Sequence, residues 1–174
     1  MPAGLNEMVV ESVRVHMLSS QHVVILKDTG RERYLPIWIG PWEANAIAMR
    51  LQGLSPERPL THDLFSSTLE ELGVSVKQII VSDLADETFR ARLMLELDGR
   101  TLDIDARPSD AINIAIRARV PIFATDAVLD RAGVVPEADE EEKLSVFRDF
   151  VNSLDVDLGE PREGESPQER ERPD

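Results

Sequence analysis

The sequence predicts an α+β domain, a mixed and largely antiparallel sheet packed by helices, with a C-terminal helix and an acidic tail. Three observations carry that expectation. Apolar and polar residues alternate along several short runs, the period of a half-buried strand. Turn residues join neighbouring runs, Asp98-Gly99 most clearly, as in a hairpin. Helical stripes are interspersed among these runs without the regular alternation that builds a parallel sheet.

The elements follow in order. Residues 8–17 (MVVESVRVHM) set Val9, Glu11, Val13 and Val15 against Val10, Ser12, Arg14 and His16, and read as a strand. A turn leads to a second strand over 22–28, and TGRE turns the chain into a third over 33–39, where Pro36 predicts an edge or a bulge. Gly40-Pro41 ends that strand and starts a helix, because proline suits the first helical position. Ala44, Ile47, Ala48 and Leu51 form its apolar stripe, and Gly53 ends it. A second helix follows a loop. Thr61 is its expected N-cap, Leu64, Phe65, Thr68, Leu69 and Leu72 its expected inward face, and Gly73 its stop.

Strands are predicted over 74–84, 88–97 and 100–106, with Phe89, Ala91, Leu93, Leu95 and Leu97 on one face. SDAINIAIRARV is a helix that turns Ala111, Ile112, Ala115 and Ile116 to the core. PIFAT (121–125) is a short buried strand, and 126–133 a short helix or turn. We divide the chain into a body (1–135), an acidic linker with an amphipathic helix (136–154), and an acidic, disordered tail (155–174). Leu144, Phe147, Val151 and Leu154 share one side of that helix.

Composition bounds the chemistry. The chain has 174 residues and no cysteine, which excludes disulfides, thiolate metal sites and cysteine catalysis. The N-terminus lacks the pattern of a signal peptide, and no run approaches the ~20 apolar residues of a membrane helix. A soluble cytoplasmic protein is expected. The net charge is −14. Residues 136–174 hold 14 Asp/Glu against 5 Lys/Arg, and the body holds 19 against 14. The body is therefore acidic and has no Lys/Arg run, so phosphate binding must be local.

One pattern occurs twice. RPLTHDL (58–64) and ARPSDAI (106–112) each run from Arg-Pro through a hydroxyl residue and an aspartate into a helix. Helix capping accounts for Thr61, Asp63, Ser109 and Asp110 taken singly. Taken together, two helix N-termini beside Arg58 and Arg107 suit an anion such as phosphate. His62 and the nearby carboxylates suit proton transfer or a divalent metal. Asp103 and Asp105 share a strand face just before the second motif. Asp110, Asn113 and Arg117 share one side of their helix, as Glu43 and Arg50 do on theirs. No H-E-x-x-H, P-loop or G-x-G-x-x-G is present. His16 and His22 flank a turn and are expected at the surface. Trp38 and Trp42 straddle Gly-Pro, and burial preference predicts a packed strand-to-helix corner over an aromatic lid on a pocket.

RYLPIWIGPWEANAIAMRLQG, RPLTHDL and DARPSDAINIAIRARVPIFATDAVLDRAG, in this order, resemble the bifunctional nuclease domain family over about residues 8–133. The resemblance implies a compact α+β domain that self-associates as a homodimer or higher oligomer. It also implies hydrolysis of phosphodiester bonds, with single-stranded RNA or DNA as partner. The motif residues it offers are Glu43, Arg58, His62, Asp63, Arg107, Ser109 and Asp110. We expect His62, Asp63 and Asp110 to be catalytic. Arg58, Arg107 and Ser109 would bind phosphate. Glu43, Asp63 and Asp110 would hold Mg2+ or Mn2+, with no organic cofactor. The rival expectation is a non-catalytic module that binds a small phosphorylated ligand or a protein. A third is a scaffold that presents the acidic tail to a basic partner.

Overall fold

The computed structural model describes residues 3–136, 141–153 and 156–157. Three strands open the chain: β1 (Leu5–His16), β2 (Gln21–Asp28) and β3 (Tyr34–Ile39). Two helices follow, α1 (Pro41–Leu51) and α2 (Thr61–Glu71). Three more strands are β4 (Ser75–Ala85), β5 (Thr88–Leu97) and β6 (Arg100–Ala106). Then come α3 (Pro108–Ala118), β7 (Ile122–Thr125), α4 (Asp126–Ala132), α5 (Glu141–Asn152) and β8 (Val156–Asp157).

The sheet runs β3-β2-β1-β7-β4-β5-β6. Every neighbouring pair is antiparallel except β4 with β7, so the mixed, largely antiparallel sheet is what the sequence predicted. Each half is a local meander: β1 to β3, and β4 to β6. The second meander turns at Asp86-Glu87 and again at Asp98-Gly99, and all four of these residues have positive φ. β7 joins the halves, pairing Leu5–Met8 of β1 on one side and Ile79–Val81 of β4 on the other. Pro36 lies on the edge strand β3, where its missing N–H costs no ladder bond. β8 pairs with Arg14 and Val15 of β1, within the region expected to be disordered; the other tail residues, Leu154 and the side chain of Leu144 lie outside what is described.

The main core forms where α1, α3 and α4 cover one sheet face. Leu26, Leu35, Ile37, Ile47, Ile79, Val81, Ile112 and Val128 are buried there. β2 is apolar on both faces for a reason. Val24 and Leu26 enter this core, while Val23 and Ile25 lie with Tyr34 in a second cluster covered by Phe147 of α5. The Phe147 ring is 5.4 Å from that of Tyr34, and Phe150 meets Trp38 edge-on at 6.5 Å. No described helix is long and apolar enough to cross a membrane.

The β2–β3 turn holds a charge pair that the sequence reading missed. Buried Arg33 donates through Nη2 to Asp28 Oδ2 at 2.8 Å, and the Gly30 amide donates to Asp28 Oδ1 at 2.9 Å. Burial pushes the Asp28 carboxyl up, but these hydrogen bonds and the Arg33 charge outweigh it and leave its pKa lowered.

Two local expectations are corrected. α2 has no fully buried residue, and Leu64, Phe65 and Leu72 face outward; His62, Asp63, Ser66 and Leu69 are its half-buried stripe. Polar contacts to α3 fix this rotation and leave the apolar side to solvent. Trp38 and Trp42 do not pack into a corner either: they are 51% and 81% exposed. The strand ends and α1 begins on Ile39, Gly40 and Pro41, so the turn needs neither indole as filler.

Candidate active site

The first turns of three helices meet, and side chains link them. Pro41 starts α1, and Gly40 is its N-cap, in extended conformation. Leu60, not Thr61, is the N-cap of α2, and Arg107 that of α3. None of the three caps supplies a side-chain acceptor. Thr61 and Ser109, expected to be capping residues, therefore do not cap these helices. Ser109 is buried, and its carbonyl accepts from Asn113 Nδ2 at 2.9 Å. The first-turn acids are Glu43, Asp63 and Asp110, which suit the positive ends of the helix dipoles.

The two Arg-Pro motifs do meet in space. His62 Nε2 lies 2.9 Å from Asp110 Oδ1. Arg107 donates through Nε to Asp110 Oδ2 at 2.9 Å and through Nη2 to Glu43 Oε1 at 2.7 Å. Glu43, Arg107, Asp110 and His62 thus form one continuous chain of contacts drawn from α1, α2 and α3. His62 and Glu43 are mostly covered, with side chains 14% and 15% exposed, while Arg107 reaches into solvent at 65%. The Asp110 hydrogen bond first, and then that of Glu43, raise the Arg107 pKa, so the guanidinium stays cationic. Gly40 makes room for this chain: a methyl group there would overlap Glu43 Oε2.

A second chain lies beside the first. Asp63 Oδ1 accepts from Arg117 Nε at 2.7 Å, and Asp63 Oδ2 accepts from the Leu60 amide at 2.9 Å. Arg117 also donates to the carbonyl and side-chain oxygens of Asn113, at 3.0 and 2.9 Å. Buried Asn113 in turn donates to the Glu43 carbonyl at 3.1 Å. Burial pushes the Asp63 carboxyl up, but Arg117, the Leu60 amide and the nearby charge of Arg50 overcome it and leave the pKa lowered. This is a structural brace. It locks α2 and α1 to α3 and so holds the first chain in place.

The predicted residues are therefore divided. His62, Asp110, Arg107 and Glu43 line one cleft, together with Trp42 and Asn45. Asp63 opens instead to a neighbouring cleft with Arg50 and Arg117. Arg58 is exposed in the α1–α2 loop and makes no ion pair among the described residues. Asp103 and Asp105 pair with Arg92 across β5 and β6, away from the cleft. His16 contacts Ser19, and His22 is half-buried rather than fully at the surface. Among the described residues no three His, Asp or Glu side chains converge to hold a metal ion. Glu43, Asp63 and Asp110 do not fit a shared metal as arranged, because Asp63 has both oxygens committed elsewhere. Sequence reasoning placed Asn113 and Arg117 on the right helix side without assigning them a role. Trp42 stands in the cleft, nearer to the aromatic lid that sequence reasoning ranked below a packed corner.

The bifunctional nuclease domain model matches residues 24–137, which takes in every residue of this site. The chain belongs to the bifunctional nuclease domain family. A protein of uncharacterised function from Mycobacterium tuberculosis (strain H37Rv) is 41% identical over 162 residues, covering 88% of this chain and 97% of the relative. Bifunctional nuclease 1 of Oryza sativa subsp. indica is 28% identical over 114 residues, or 63% of this chain and 34% of the plant protein. Bifunctional nuclease 2 of Arabidopsis thaliana is 29% identical over 103 residues, or 58% and 31%. The match to these bifunctional nucleases thus spans about a third of their length.

Proposed function

We propose that this member of the family hydrolyses phosphodiester bonds of RNA or DNA in the cleft of His62, Asp110, Arg107 and Glu43. The contact between His62 and Asp110 carries the reading, because it joins both Arg-Pro motifs into one acid–base pair beside a cationic guanidinium. Asp110 orients the imidazole through Nε2, which leaves Nδ1 to move a proton. His62 takes the proton of the attacking oxygen, a water in DNA or a ribose 2′-hydroxyl in RNA, where a water then opens the 2′,3′-cyclic phosphate in a second step. The new phosphorus–oxygen bond forms as the bond to the leaving oxygen breaks, and that oxygen receives a proton from the imidazolium or from solvent. Arg107 meets the charge that develops on the phosphoryl oxygens. Glu43 holds Arg107 from its other side.

Mg2+ commonly binds through one or two carboxylates together with substrate phosphates. Glu43 and Asp110 are the carboxylates in this cleft, and a requirement for Mg2+ or Mn2+ is part of the test. Fluorescent single-stranded RNA and DNA are incubated with the protein in Mg2+, Mn2+ or EDTA. Cleavage by the wild type should fall about 10²–10⁴-fold in His62→Ala and Asp110→Asn, the usual contribution of an acid–base group, with folding intact. Cleavage that survives both substitutions sinks the assignment.

A second reading has its own support. The body carries 19 acidic against 14 basic residues, a poor surface for long polyanions. Under this reading the cleft holds a small phosphorylated ligand on Arg107 without cutting it. Absence of cleavage in every metal, with saturable binding of a phosphorylated small molecule lost in Arg107→Ala, would favour it.

A further inference from the structure

Arg107 is shared by two clefts, and each has an exposed indole at its wall. Trp42 stands in the cleft with His62 and Asp110. Trp38 stands in the cleft on the other side, with His22, Phe89 and Ser109. Tryptophan is usually well covered in a folded chain, yet these two are 81% and 51% exposed and are the only tryptophans present. Beside the indole this cleft presents Glu43, Asn45, Thr61, His62, Arg107 and Asp110. An exposed indole beside an arginine matches the stacking platforms that hold unpaired bases.

Charge points the same way. Neutralised phosphates usually supply most of the affinity for nucleic acid. This body is net acidic, and Arg107 already shares its charge with Glu43 and Asp110. Affinity must then come from contacts that do not depend on charge. In a duplex the base faces are covered by their own neighbours, so an indole on the surface has nothing to stack on.

We propose that Trp42 and Trp38 are base-stacking platforms on either side of Arg107, and that the site takes single-stranded nucleic acid with one unpaired base on each indole. The inference rests on the reading of the Arg107 cleft as a nucleic-acid site.

Tryptophan fluorescence reads this directly, because both fluorophores are the proposed platforms. The full chain is titrated in EDTA with oligo(dT), oligo(U) and a duplex of equal length. The titration is repeated in Mg2+ with a phosphorothioate strand. Single strands should quench saturably and the duplex should not. Trp42→Ala should bind at least about fivefold more weakly, the lower end for loss of one stacked base, and Trp42→Phe should recover part of that loss. The dependence of log K on log salt should be shallow, about −0.7 for each phosphate neutralised and so roughly −1 in all. Equal binding of duplex, unchanged affinity in Trp42→Ala, or no quenching by any strand overturns the proposal. Quenching without cleavage removes the nuclease reading and leaves the platforms standing. Cleavage without quenching removes the platforms alone.

Discussion

Gly40 shows how one residue without a side chain sets the chemistry of another. Its backbone is extended, a conformation alanine adopts freely, so the glycine is not there for its φ. It is there because the Glu43 carboxylate folds back over it to reach Arg107. Gly40→Ala should therefore fold with almost unchanged thermal stability, since the displaced group is the mobile end of a side chain. Cleavage should fall roughly tenfold, less than the ~10²–10³ of deleting an oxyanion donor outright, because Arg107 is loosened rather than lost. Unaltered turnover in a well-folded variant would show that Glu43 does not position the guanidinium. The glycine and the glutamate were both visible in the sequence. Their overlap was not, because it depends on a rotamer that only the neighbouring helix selects.

At the scale of elements, α5 and α2 teach opposite lessons. α5 was legible as an amphipathic helix, and Phe147 does cover Tyr34, Val23 and Ile25. Phe147→Ala should cost about 1–2 kcal/mol, the share of a partly buried aromatic, read as a shift of the urea midpoint. No shift would mean that α5 adds nothing to the stability of the sheet. α2 was legible as a helix but not in its rotation. Apolar periodicity pointed Leu64, Phe65 and Leu72 inward, whereas the ion pair of Asp63 with Arg117 and the contact of His62 with Asp110 turned them out. Periodicity weighs side chains by hydropathy and carries no information about a partner 54 residues away in sequence. The same blindness hid the division of the aspartates: Asp63 braces, and Asp110 faces the cleft.

Across the whole molecule, two lowered carboxyl groups tie stability to pH. Asp28 and Asp63 have folded-state pKa values below their ordinary ones. Each contributes stability that is fully present above about pH 4, the unfolded value, and is lost as pH falls through the lowered folded value. Wild-type stability should therefore drop below about pH 4. Asp28→Asn should lose about 3 kcal/mol at neutral pH, because it strands the buried Arg33 guanidinium, and its acid limb should be flatter. Asp63→Asn should lose less, as Asp63 keeps a side-chain exposure of 28%. Urea titrations from pH 2.5 to 7 decide it, and parallel acid limbs in all three proteins would be the contrary result.

The placement of β7 has a consequence in time. The two meanders are made of neighbours in sequence, so each closes over short loops and can form early. β7 must bring residues 122–125 back to residues 5–8, a far longer closure, before the halves become one sheet. The cleft draws α1 and α2 from between the meanders and α3 from beyond the second, so it has no complete form until that closure occurs. During refolding, strand signal in the far ultraviolet should rise in an early phase, and cleavage should return only in a later one. Recovery of both with a single rate would mean that the sheet is sealed from the start.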